Sequence, residues 1–139
     1  MIKRPLNAQF SNAVLEKRKI TTIREKPWPV GVPIMLYNWS GAAYRSKQID
    51  VGVVTVSGWW PITIAHTESG EMRYAYGMDC GLALHETEGF ESRAAMDEWF
   101  RPLVKPGQSV TKHLMRFRLA NANMDAPADE KAQPTKLND

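Results

Sequence analysis

The sequence predicts an α+β fold: a small, closed or half-closed β-barrel of five to six mostly antiparallel strands, with two to three helices at its ends. Three observations predict it. Short β-branched or alternating runs recur along the chain, separated by Gly, Pro and Ser. Only a few stretches carry helical signals, too few for the regular alternation of a parallel α/β sheet. His113 to Leu119 alternates cleanly, with Met115, Phe117 and Leu119 on one face and Leu114, Arg116 and Arg118 on the other. That is a half-buried strand.

Taken in order, Asn7 or Ser11 caps a first helix, with Phe10, Val14 and Leu15 on its buried side. Residues 20 to 25 read as a strand by their β-branched content. Lys26 to Gly31 is a loop, because Pro27 and Pro29 bracket Trp28 and forbid a central strand. Ile34 to Trp39 is the next strand, Ser40-Gly41 a turn, and Ala42 to Gln48 a polar hairpin tip. Ile49 to Ser57 is strongly apolar; Gly58-Trp59-Trp60-Pro61 breaks it, and Ile62 to Ala65 resumes it after a bulge. Glu71 to Tyr76 is a further strand, residues 80 to 87 are helical, and Ser92 to Phe100 is a helix with Ser92 as N-cap. Arg101 to Gly107 is a Pro-containing connection. From Ala120 the apolar signal stops. Residues 1–120 therefore read as the domain and 121–139 as a disordered polar tail, too poor in apolar residues to offset chain entropy.

At 139 residues one domain is expected. The single Cys80 allows no internal disulfide and fits a reducing cytoplasm. No run approaches the ~20 apolar residues of a membrane span, and no apolar signal core follows the basic N-terminus. The expectation is a cytoplasmic protein with no membrane partner. The formal charge is only +3. Its distribution says more: Lys3, Arg4, Lys17, Arg18, Lys19, Arg24 and Lys26 crowd the first 26 residues, while acidic residues gather between 68 and 98. A basic first third favours an anionic partner, and RNA is the natural candidate.

The chemistry concentrates in Lys17-Arg18-Lys19-Ile20-Thr21-Thr22-Ile23-Arg24. On a strand Ile20, Thr22 and Arg24 point one way and Thr21 and Ile23 the other, with Lys19 at the corner. A hydroxyl flanked by two cations makes a pocket for a polar, electron-rich ligand. Aromatics form the second set. Trp28, Trp39 and Tyr44 near Arg24, Arg45 and Lys47 are the elements with which single-stranded nucleic-acid binders stack bases and follow phosphates. Trp39 or Trp28 is expected to take a base, and Trp59 and Trp99 to fill the core. Asp79, Cys80, His66 and His85 supply metal-ligand types without paired spacing, so no metal is expected. Nor is a cofactor, since the glycines are scattered and form no phosphate loop.

Phe10, Val14-Leu15 and the Lys-Arg-Lys-Ile-Thr-Thr-Ile-Arg run together resemble the opening of the ASCH family. Leu36 to Gly41 with Tyr44 to Gln48, and Glu88-Gly89-Phe90-Glu91-Ser92 with Met96 and Phe100, resemble two later stretches of that family. The resemblance covers roughly residues 8 to 120 and implies a PUA-like barrel. One branch of the family hydrolyses acetylated cytidine with a Lys, a Thr and a Glu, and its Lys-x-x-Thr-Ile-Arg run is similar to Lys19 through Arg24. By that resemblance Thr22 would be the nucleophile, Lys19 its base and Glu88 a general acid. The reading is an ASCH-type monomer that binds single-stranded RNA or a modified nucleoside between its first helix and the Trp39 hairpin. Two alternatives stay open: an amidohydrolase of N4-acetylcytidine-type nucleosides, and a ribonuclease using Lys19, Glu88 or a His.

Overall fold

A computed structural model describes residues 1–78 and 81–120. Cys80 and the 121–139 tail lie outside the described residues. The fold is α+β, with a six-stranded mixed sheet. Its strands are β1 (Ile2–Pro5), β2 (Thr21–Arg24), β3 (Pro33–Trp39), β4 (Gln48–His66), β5 (Met72–Tyr76) and β6 (Gln108–Leu119). Three short helices accompany it: α1 (Ser11–Leu15), α2 (Leu84–Thr87) and α3 (Arg93–Phe100). The path runs β1-β3-β4-β6-β2, with β5 also on β4. Among the described residues the β1·β3 ladder is parallel and the other ladders are antiparallel, with one isolated parallel bridge between Val30 and Val56. Among the described residues β1 and β2 end the path unpaired with each other, so the sheet is open rather than a closed ring.

β4 organises everything else. It runs unbroken for 19 residues through Gly58-Trp59-Trp60-Pro61, where the sequence predicts a break. The ladder to β6 absorbs the irregularity by shifting register between Val56 and Gly58, as a bulge does. Pro61 is accommodated because β5 begins its pairing only at Ile62.

Two apolar cores lie on opposite faces of the β4·β6 ribbon. Val54, Val56, Met115 and Phe117 pack with Leu6, Phe10, Val14, Trp28, Ile34 and Leu36. Ile62, Ile64 and Leu114 pack with Met72, Met96, Phe100 and Val104. Residues 114 and 115 are neighbours on one strand, so alternation sends them to opposite faces. Phe90 packs against both cores.

The structure corrects several expectations. Trp59 is 44% exposed and Trp99 38%, so neither is a core residue, whereas Trp28 is buried at 6%. Leu15 is exposed, because α1 ends as the chain turns away. The helix expected over 80–87 is a four-residue turn, Leu84–Thr87. β1 carries no periodic signal in its Ile-Lys-Arg-Pro sequence and forms by pairing with β3.

Candidate functional site

The chain leaves α1 through Lys17, which adopts a left-handed conformation at φ 63°. The amides of Arg18 and Lys19 both donate to the Ala13 carbonyl, closing the helix end. That reversal aims Lys19 inward. Its ammonium donates to the Glu88 carbonyl oxygen at 2.8 Å and lies 3.6 Å from the Glu88 carboxylate. It also sits 4.8 Å over the Phe10 ring. Both charged side chains are 4% exposed. Burial pushes the Lys19 pKa down from its usual 10.5, more strongly than the Glu88 charge raises it, and the nearby Arg24 charge adds to the lowering.

The hydroxyl at Glu88 belongs to Thr21. Its Oγ1 donates to Glu88 Oε2 at 2.5 Å and lies 3.0 Å from Thr87 Oγ1. The Thr87 hydroxyl in turn donates to the Leu84 carbonyl at 3.1 Å. Two hydroxyl protons serve these three contacts, and the carboxylate takes the Thr21 proton because a charged acceptor makes the stronger bond. Thr22 points to the other face with Met115, its partner in the β2·β6 ladder. Its Oγ1 accepts from Arg24 Nε at 3.0 Å. Among the described residues no hydrogen bond joins Thr22 to Lys19 or Glu88. The structure therefore pairs Lys19 with Glu88 as a unit and gives that unit Thr21, a residue that sequence reasoning passed over. Strand alternation, which already separates Thr21 from Thr22, was the available signal.

Arg24 stands 4.8 Å over the Trp28 ring. Burial lowers its pKa against the attraction of Glu88. Trp28 donates its amide to Met115 Sδ at 3.0 Å, which seats the ring under the guanidinium rather than in solvent.

The remaining candidates form a separate group at the β3–β4 hairpin. Tyr37, Trp39 and Tyr44 make a ladder of ring contacts, 5.5 Å and 5.2 Å between centroids. Tyr44 is 86% exposed and its backbone is left-handed at φ 65°. Arg45 and Lys47 beside it are exposed. The tip is closed by Ser40 N donating to Lys47 O at 2.8 Å, with Ser46 Oγ accepting from Gly41 N. Asn38 Nδ2 donates to Ser11 Oγ at 2.7 Å, tying α1 to this hairpin.

Two clefts lie elsewhere. One of about 220 Å³ is lined by Tyr74, Tyr76, His85, Arg93 and Met96, and a shallow one of about 570 Å³ by His66, Gly107 and Gln108. Among the described residues no three metal-binding side chains converge, and no helix is long and apolar enough to cross a membrane. No family model, curated protein or solved structure matches the chain.

Proposed function

We propose that the protein is an ASCH-type module with a PUA-like sheet that binds single-stranded RNA or a modified nucleoside through the Trp39–Tyr44 hairpin. One observation carries this reading. Tyr44 holds a large ring almost fully in water while its backbone occupies a region that costs a non-glycine residue roughly 1–2 kcal/mol. A folding role gives no reason for such strain at an exposed aromatic. Base stacking gives one. The Trp39 ring supports Tyr44 from one side, and Arg45 and Lys47 supply cations for phosphates.

The test is a fluorescence titration of the full chain with a short single-stranded RNA. Tyr44→Ala should weaken binding by about 1–3 kcal/mol, the value of one stacked base, with the melting temperature little changed, since alanine keeps the left-handed penalty. Equal affinity for parent and variant removes the hairpin from the site.

Hydrolysis of an acylated cytidine is the second reading, favoured by a buried lysine whose pKa burial lowers towards that of a general base. Parallel Thr21→Val and Thr22→Val variants decide which hydroxyl, if either, it uses. Loss of turnover only in Thr22→Val supports the set Lys19, Thr22 and Glu88. Loss only in Thr21→Val assigns the hydroxyl that Glu88 holds, and no turnover in the parent leaves binding alone.

A further inference from the structure

A third group of residues lies on β2, β6 and β4, away from the hairpin: Arg24 and His113 are half-buried and Trp59 is exposed. Arg24 and His113 stand directly opposite each other in the β2·β6 ladder, so their side chains emerge side by side. Thr22 accepts from Arg24 Nε, and the Trp28 ring lies beneath the guanidinium. The fork is thus aimed from two sides. Among the described residues its two terminal nitrogens carry no hydrogen bond. Glu88, the nearby anion, is engaged by Lys19 and Thr21, and Glu25 is engaged by Lys112.

His113 is oriented as well. Its Nδ1 lies 3.0 Å from the Glu25 carbonyl oxygen. A carbonyl only accepts, so Nδ1 carries the proton and Nε2 is left for something else. The ring meets Trp59 edge-on at 4.8 Å between centroids. Trp59 itself is exposed, on the face where the exposed Pro61 and half-buried Thr63 follow.

We propose that Arg24, His113 and Trp59 form a nucleotide-phosphate site, with the phosphate on the Arg24 fork and His113 Nε2 and the base on the Trp59 ring. The recognition chemistry is that of a free oxyanion fork beside an exposed indole. A planar guanidinium with two unengaged terminal nitrogens matches two phosphate oxygens. His113 Nε2, which the Nδ1 contact with the Glu25 carbonyl leaves unengaged, meets a phosphate oxygen through one shared proton. The exposed Trp59 indole, in edge contact with the His113 ring, supplies the stacking surface that every base can use. Thr22 is too buried to touch the ligand and acts as a positioning residue for Arg24. The phosphate can belong to a free nucleotide or to an RNA chain.

The experiment titrates the full chain at low ionic strength with inorganic phosphate, uridine 5′-monophosphate and a short oligouridylate. The ring resonances of His113, one of three histidines, are followed by NMR. The monophosphate should shift His113 saturably and quench tryptophan fluorescence. Arg24→Lys should weaken it about tenfold or more, since the charge stays and the fork is lost. Trp59→Ala should weaken the monophosphate about tenfold and leave inorganic phosphate unchanged. His113→Gln, on the exposed side of the ladder, serves where Arg24→Lys impairs folding, and it should weaken all three ligands. A monophosphate that prevails over the oligouridylate marks a free nucleotide, and the reverse marks an RNA phosphodiester. Tyr44→Ala separates this site from the hairpin, because it should leave monophosphate binding intact. Absence of any His113 shift, or a monophosphate affinity in Arg24→Lys and Trp59→Ala equal to that of the parent, overturns the proposal.

Discussion

A lysine ammonium and a glutamate carboxylate are buried against each other at residue 88, and the charge of Arg24 is felt by both. Removing the carboxylate from such a place leaves buried charge without its counterpart, which costs about 3–5 kcal/mol. Glu88→Gln should therefore destabilise by that order in urea unfolding, and Lys19→Met/Glu88→Gln together by less than the two single losses added. Simple additivity would mean the two side chains do not act as a pair. The lowered pKa of Lys19 adds a pH signature. Between its folded value and the ordinary 10.5 the unfolded chain binds the extra proton, so stability rises with pH across that window. Below the window the full cost of the shift is present. Lys19→Met should remove this slope relative to the parent, and an identical slope in both proteins would place the titration elsewhere. Lys19 and Glu88 were legible as a pair only through the family resemblance, since 69 residues separate them and spacing carries no such information. Thr22 was expected beside them. The strand period that was used to place Thr22 with Arg24 also implies the separation that the structure shows, with Thr21 on the Glu88 side.

At the scale of elements, the segment that seats Glu88 depends on a glycine. Gly89 follows α2 with φ +88°, and a Cβ there would stand 3.0 Å from Lys19 Cβ and 3.3 Å from Ala13 Cβ. Gly89→Ala combines a left-handed backbone penalty of roughly 1–2 kcal/mol with that crowding, so a loss of about 2 kcal/mol or more is expected in thermal or urea unfolding. The crowded atoms belong to α1 and to Lys19 rather than to solvent. A neutral Gly89→Ala would show that α1 and the α2 end are not packed as described. Strands were the most legible elements: β2, β3 and β5 stand where β-branched content and alternation place them, and β6 covers the expected His113 to Leu119 but begins earlier, at Gln108. β4 was not legible as one strand, because Gly58 and Pro61 are local breakers. Pairing on β6 outweighs them, holding twelve residue pairs in register from Val54 to His66 across a single bulge. The exposure of Trp59 follows from the same bulge. The face that is packed before Val56 is open to solvent after it, and the second core forms on the other side.

For the whole molecule, the arrangement of cores decides which surfaces are free to bind. Each core covers one face of the ribbon at one end, which leaves the opposite face uncovered there. Trp59 and His113 lie on one such uncovered face, and the hairpin of Tyr44 projects from the β3–β4 turn. Net charge, at only +3, does not by itself make the protein an RNA binder. The local pattern at the hairpin matters instead: Arg45 and Lys47 are exposed, and Lys3 lies 5.4 Å over the Tyr37 ring while paired with Asp50 at 3.1 Å. Two or three cations can then neutralise phosphates of a single strand that stacks on Tyr44. Each released counterion contributes a slope of about −0.7 in log affinity against log salt. The expected slope lies between about −1.4 and −2.1, so affinity falls roughly tenfold from 50 to 200 mM salt. Lys47→Gln should flatten the slope by about 0.7, whereas Tyr44→Ala should lower affinity at every salt concentration without changing the slope, because stacking releases no ions. These two signatures separate charge from stacking in one titration series. A salt-independent affinity, or a slope that Lys47→Gln leaves untouched, would place RNA binding away from the hairpin.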